Sequence, residues 1–158
     1  MRRCLLDTTP VTLLAQDQLP GKWVRLWKDI NQGTRRLVLF EALIAEMVSK
    51  LTPLEGVGRE GATVWITKLK GLPHVEVHHL SDKNALSAGV LKASNHWGLS
   101  LVDSLILEVA ASTSSLLVTS DHGLRDAAEA KGVEVSFLPF DTDTESSTWQ
   151  CPPPSAHR

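Results

Sequence analysis

Residues 95–124 read NHWGLSLVDSLILEVAASTSSLLVTSDHGL, and the order of signals inside this stretch decides the fold. A loop is followed by a helix expected to begin near Ser100 and to carry Asp103 in its first turn. A short buried strand, Leu116 to Thr119, then delivers Asp121 just beyond its end. Two acids thereby stand at element boundaries and not on solvated faces.

The same placement recurs at the start of the chain. The apolar run Cys4-Leu5-Leu6 ends in Asp7, and Thr9-Pro10 makes a good N-cap and first-turn pair for a helix. In open α/β sheets, residues just past the carboxyl ends of parallel strands converge even when far apart in sequence, and ligands bind there. Asp7 and Asp121 are therefore expected to face each other, with Asp103 supplied from a helix nearby.

The 158 residues fit one domain with a real core, and 42% hydrophobic content with modest charge is ordinary for a globular protein. No apolar run approaches the roughly 18 residues of a membrane helix, and Met1-Arg2-Arg3 leads straight into an apolar strand without a cleavage pattern. A cytoplasmic protein with no membrane association is expected. The cysteines, Cys4 and Cys151, offer neither a disulfide framework nor a thiolate metal site. Residues 1–80 hold eleven Lys or Arg against eight Asp or Glu, and residues 81–158 five against ten, for a net charge of -2. Nucleic-acid binders are usually basic, so overall charge argues weakly against one. Several of the later acids are site candidates that a bound cation would offset, and Arg25, Lys28, Arg35, Arg36 and Lys50 could form a local basic rim.

Taken in order, strands are expected at 3–6, 37–40, 75–80, 116–119 and 133–140. Helices are expected at 10–16, 22–32, 41–51, 61–72, 81–94, from 100 onward, and 123–131. Trp23, Leu26, Trp27 and Ile30 recur at helical steps and read as core, with Gly33 at the C-cap position. In the 61–72 helix, Val64, Trp65 and Leu69 are expected to point inward. In the 81–94 helix, Ala85, Leu86, Ala88, Val90 and Leu91 are the apolar positions. His74, His78 and His79 invite a metal reading, but His78 and His79 point to opposite faces of a strand, so a solvated or hydrogen-bonded role is preferred. Glu41 and Glu46 share one helix and project roughly 140° apart, so they cannot both serve one small site. Glu46 has the less solvated setting. Residues 141–158, rich in Asp, Thr, Ser and Pro, are expected to form a disordered tail after a domain spanning 1–140.

Four blocks now carry a resemblance: LLDTTPVTLLA, EALIAEMVSKL, GLSLVDSLILEVAA and LLVTSDHGL resemble, in order, the signature blocks of PIN-domain nucleases, the family that includes VapC-type toxins. What the resemblance implies is a three-layer α/β/α fold with a central, mainly parallel sheet, and an acidic pocket that binds Mg²⁺ or Mn²⁺ to hydrolyse RNA phosphodiesters. It places the four acids on Asp7, Glu46, Asp103 and Asp121, and it makes Thr119, the hydroxyl residue of the T-x-D step, a substrate-contact candidate. It also implies a small antitoxin partner and a homodimer, for which exposed Trp or Leu on the helices of residues 22–32 and 62–72 would suit an interface. Glu41 stands where many relatives carry a serine or threonine.

The chemistry accounts for the carboxylates. Mg²⁺ prefers oxygen ligands, keeps several waters and is typically held by one or two carboxylates plus substrate phosphate. Asp7 and Asp121 are the expected direct ligands, with Glu46 and Asp103 completing the shell or orienting a water, around one ion or two. Carboxylates crowded together repel, so at least one should have a raised pKa, and the metal-free site should be the least settled part of the fold. Each acid also has an ordinary structural reading: Ser100-x-x-Asp103 resembles a capping box, Asp121 an N-cap, and Asp7 a turn residue. The rival to a nuclease is a non-catalytic PIN-like module that binds RNA or a protein. A response-regulator-like phosphatase is weaker, because such enzymes want a second aspartate at the position of Thr9.

Overall fold

The computed structural model describes residues 1–139. Five strands, β1 (Arg2–Leu6), β2 (Arg35–Leu39), β3 (Val75–Val77), β4 (Leu116–Thr119) and β5 (Val135–Phe137), form one sheet in the order β3-β2-β1-β4-β5. Every pairing is parallel. Seven helices complete a three-layer α/β/α fold: α1 (Thr8–Ala15), α2 (Gly21–Asn31), α3 (Glu41–Leu51), α4 (Gly58–Lys70), α5 (Asp82–Ser94), α6 (Leu101–Ser112) and α7 (His122–Ala130). Parallel sheets covered on both faces need continuous apolar strands. Cys4-Leu5-Leu6, Leu37-Val38-Leu39 and Leu117-Val118 supply them, all buried. The edge strands β3 and β5 are three residues long and half-buried, which limits exposed backbone at the sheet margins.

The strand order creates the site. The chain runs from β1 outward through β2 to β3, then returns to the other side of β1 as β4, so the direction of winding reverses between β1 and β4. A crevice opens at such a reversal, outside the carboxyl ends of the two strands. Asp7 and Asp121 follow those two ends.

Several boundaries differ from the sequence reading, each for a local reason. Helix α1 begins at Thr8, because Asp7 and not Thr9 is its N-cap and puts Pro10 inside the first turn. Helix α4 starts at Gly58, and its buried stripe is Ala62, Ile66 and Leu69. Val64 falls on the opposite face and is 50% exposed, while Trp65 is half-buried. In α5 the inward stripe is Asn84 and Ala88, leaving Leu86 and Val90 more than 70% exposed. Strand β3 stops at Val77 because His78 and His79 turn to side-chain partners. Strand β5 starts late because the Val133 N–H closes the end of α7 on the Ala128 carbonyl. Trp23, Leu26, Trp27 and Ile30 are core as expected, so α2 has no exposed Trp or Leu to offer an interface. The expected tail, 141–158, lies outside the described residues.

Candidate active site

Asp7 occupies the rung just past the β1–β4 pairing, its backbone N–H donating to the Val118 carbonyl at 2.9 Å. Oδ1 accepts from the Thr8 N–H at 2.7 Å and Oδ2 from the Thr119 hydroxyl at 2.8 Å. That hydroxyl in turn accepts from the Asp121 N–H at 3.0 Å. One threonine therefore ties the end of β4 to the carboxylate at the end of β1. Thr119 is wholly buried, which corrects the expectation of a substrate contact: its hydroxyl is spent inside the protein, and it positions Asp7.

Asp7 is itself only 4% exposed. Burial pushes its pKa above the ordinary carboxylate value. Hydrogen bonds from Thr119 and Thr8 oppose the rise, and the negative charges of Asp103 and Asp121 add to it. Asp121 is the N-cap of α7, its Oδ1 accepting from the Leu124 N–H at 2.7 Å. Asp103 closes a capping box at the start of α6: Ser100 Oγ accepts from the Asp103 N–H at 3.0 Å and Asp103 Oδ2 from the Ser100 N–H at 3.1 Å. The ordinary capping readings of both acids are thus real. They do not compete with a role in the crevice, because each cap engages one oxygen of two.

Glu46 differs from the other three. It projects from the middle of α3, half-buried, and its Oε2 is sealed from solvent with no hydrogen-bond partner among the described residues. Burial raises its pKa, the charges of Asp103 and Asp7 raise it further, and Lys50, one turn on, lowers it. The four acids act on one another, so one crevice collects Asp7, Glu46, Asp103 and Asp121. Among the described residues no three His, Cys, Asp or Glu side chains are gathered tightly enough to hold an ion unaided. The expectation that the whole metal-free site is unsettled needs correcting, because caps and the Thr119 bridge hold three of the acids. The unpartnered oxygen is confined to Glu46.

Other candidates lie elsewhere. Glu41 accepts from His79 Nδ1 at 2.6 Å, a contact that pulls its pKa down, and from the Leu80 N–H at 3.4 Å. His78 Nε2 lies 3.5 Å from Asn84 Oδ1, and the His74 ring packs against Gly33. The expected basic rim dissolves: Arg35 and Arg36 pair in register with Arg2 and Arg3 at the opening end of β2, the far end of the sheet from the acids. Asp29 and Glu76 hold them there. Of the basic residues considered, Lys50 is the one beside an acid of the crevice.

The sequence reading missed Gly123. A Cβ at this position would sit 2.7 Å from the Trp97 carbonyl oxygen and 3.3 Å from Asp121 Oδ1. The loop before α6 is therefore pressed onto the first turn of α7 at the point where Asp121 caps it. The signal was a glycine inside an expected helix start, where its helix-breaking cost needs a packing reason. Ordinarily Gly→Ala in a helix gains up to about 1 kcal/mol. Here the obstacle is backbone, and overpacking of that kind costs about 1–3 kcal/mol, so the clash wins. Gly123→Ala should lower the unfolding free energy in urea; a more stable variant would show that the loop yields freely.

The raised pKa values of Asp7 and Glu46 fix a pH dependence. A group that binds its proton more tightly when folded contributes stability that is full below its unfolded pKa and lost as pH rises through the folded one. The loss therefore starts near the ordinary values of 3.8 and 4.5 and continues upward. Glu41, shifted the other way, contributes in the opposite sense, but it is exposed and its share is small. With chelator present, wild-type stability should fall relative to Asp7→Asn as pH is raised from about 4 to about 7. Parallel urea-midpoint profiles for the two proteins would contradict this.

Comparison with known proteins agrees with the geometry. The chain is similar in fold to VapBC2 from Rickettsia felis, solved bound to a DNA fragment from its promoter (TM-score 0.63, 14% identity, covering 86% of this chain and 98% of that one). It is also similar to FitAB bound to an IR36 DNA fragment (0.57, 18%, 85% and 94%) and to PAE2754 from Pyrobaculum aerophilum (0.55, 20%, 85% and 83%). No curated protein matches at the level of sequence. The sequence profile of the PIN domain matches residues 4–130, a span that takes in all four acids and both strand ends that carry the crevice, and the chain belongs to the PIN-domain family.

Proposed function

We propose that the protein is a metal-dependent endoribonuclease that hydrolyses RNA phosphodiester bonds at the crevice of Asp7, Glu46, Asp103 and Asp121, with Mg²⁺ or Mn²⁺ as cofactor. The observation that carries the reading is the sealed, unpartnered Oε2 of Glu46 facing the charges of Asp7 and Asp103. An unpaired buried oxygen is costly in a folded protein, and it persists where something else completes it. The donor set, carboxylate oxygens throughout, suits a hard divalent cation. Since no three of the acids are already gathered, the ion would keep several waters, as Mg²⁺ does.

A bound ion supplies positive charge for the scissile phosphate and lowers the pKa of an attacking water. The protein's own side chains do the rest. Asp7, anchored through Thr8 and Thr119, and Asp121, anchored through its cap, present fixed negative charge at the ends of β1 and β4. Glu46, with its raised pKa, is the group suited to take a proton from water near neutral pH. Asp103 sets the field that keeps the Glu46 pKa up. Incubation of the protein with single-stranded RNA and Mn²⁺ should yield internal cleavage that excess chelator stops; intact RNA under both conditions would refute the reading.

The likeness to VapBC2 and FitAB, both solved with bound DNA, supports a toxin-like role in which a small antitoxin covers the crevice. The alternative is a non-catalytic module for RNA or a protein partner, favoured by the capping engagement of Asp103 and Asp121. A protein that binds RNA but gains no thermal stability from Mg²⁺ would select it.

A further inference from the structure

We infer that the Trp97 ring, with His96 edge-on to it, is a stacking platform for one unpaired base of a single-stranded RNA whose backbone passes the acidic crevice. This rests on the nuclease reading and specifies the substrate as unstacked, single-stranded RNA.

Trp97 lies on the loop between α5 and α6, residues 95–100, which is pinned along its length. Asn95 closes α5 in the left-handed region (φ 49°), Gly98 takes φ 66°, Leu99 is buried, and Ser100 opens the capping box of α6. The Trp97 carbonyl is pressed against Gly123, so its main chain stands beside the Asp121 cap. Three residues after Ser100 comes Asp103. The loop is thus held between two of the four acids by its own chain connections and by the Gly123 contact.

The indole is placed unlike the core tryptophans. Trp23 and Trp27 are 2% and 3% exposed, whereas Trp97 is half-buried, packing on the margin of the core and keeping the rest of its surface open. The His96 ring meets it at 4.6 Å with an interplanar angle of 86°, an edge contact that fixes the indole without covering it as a stacked ring would. A rigid, partly open aromatic loses little conformational freedom on binding, and any base offers it a π face. Bases in an A-form duplex are stacked on one another and unavailable, so such a platform selects loops and single strands. It also answers a need of the crevice, whose charge is negative and which offers an incoming phosphate little attraction beyond Lys50. Stacking supplies affinity that does not depend on that charge.

The test compares wild type, Trp97→Ala and Trp97→Phe. It uses steady-state cleavage of a single-stranded RNA with Mn²⁺, and fluorescence-anisotropy binding of the same RNA and its duplex to each protein in an Asp7→Asn background. Trp97→Ala should raise KM about tenfold with kcat within about twofold, the loss of a single stacked base. Trp97→Phe should recover most of it, and binding should weaken for the single strand but not for the duplex. Unchanged KM and unchanged single-strand binding in Trp97→Ala overturn the inference, including the case in which the variant instead loses a protein partner. If Trp97→Ala does not fold, the Trp97→Phe and His96→Ala proteins decide by the same readouts, with smaller shifts expected and none overturning the inference. Absence of cleavage by the wild type would fail the nuclease reading separately, since single-strand binding in the Asp7→Asn background still reports on Trp97.

Discussion

Asp7→Asn should reduce RNA cleavage by at least about 10²–10³-fold, the scale on which a preorganised electrostatic group contributes to a transition state, and should leave the metal-free fold at least as stable at neutral pH. Both halves follow from the same carboxylate. It is buried, and its ionised form is disfavoured by desolvation and by Asp103 and Asp121. Asparagine keeps the shape and can still cap α1 by accepting from the Thr8 N–H. It can also donate to the Thr119 hydroxyl once that group rotates. What it removes is the charge. Cleavage rates and urea unfolding measured on one preparation check the pair, and a variant that cleaves normally, or one that unfolds, would each break the assignment in a different place.

Glu46→Met should move function and stability in opposite directions. Its Oε2 is sealed without a partner, and Leu43 and Met47 on the same helix are buried. Replacing an unsatisfied carboxylate by a flexible apolar side chain of similar length removes a desolvation penalty of about 1–3 kcal/mol. The metal-free protein should therefore gain stability on that order, while cleavage falls by about a hundredfold or more because the proton acceptor is gone. Active sites commonly hold such groups at the expense of the fold. If Glu46 were merely a surface residue of α3, methionine would change neither quantity much, and thermal midpoints with single-turnover cleavage rates distinguish the cases.

Much of this site was legible because its residues coincide with local punctuation. Asp7 and Asp121 each end an apolar strand and open a helix, and Asp103 sits three residues after a capping serine. These signals need no tertiary knowledge, and β4 and α6 were delimited by them closely. The rest depended on which ends of which elements meet. Arg35 and Arg36 were candidates for a basic rim until the parallel register with Arg2 and Arg3 put them at the opposite end of the sheet. Thr119 was offered to substrate, whereas the β1–β4 pairing turned its hydroxyl onto Asp7. The approach of Trp97 to Gly123 joins residues 26 positions apart through a loop that carries no periodic pattern. Leu86 and Val90 were read as core because periodicity marks an apolar stripe without saying which stripe faces the sheet. Glu46 was singled out by its apolar neighbours, but its lack of a hydrogen-bond partner is a property of packing alone.

The central claim, a divalent-cation site built by Asp7, Glu46, Asp103 and Asp121, is tested most directly by titrating Mn²⁺ into the purified protein calorimetrically, in parallel with Asp7→Asn and Asp121→Asn. The wild type should bind with saturating heat and both variants should lose most of that affinity while remaining folded by circular dichroism. Equal binding isotherms in all three proteins, or no binding in the wild type, would contradict it.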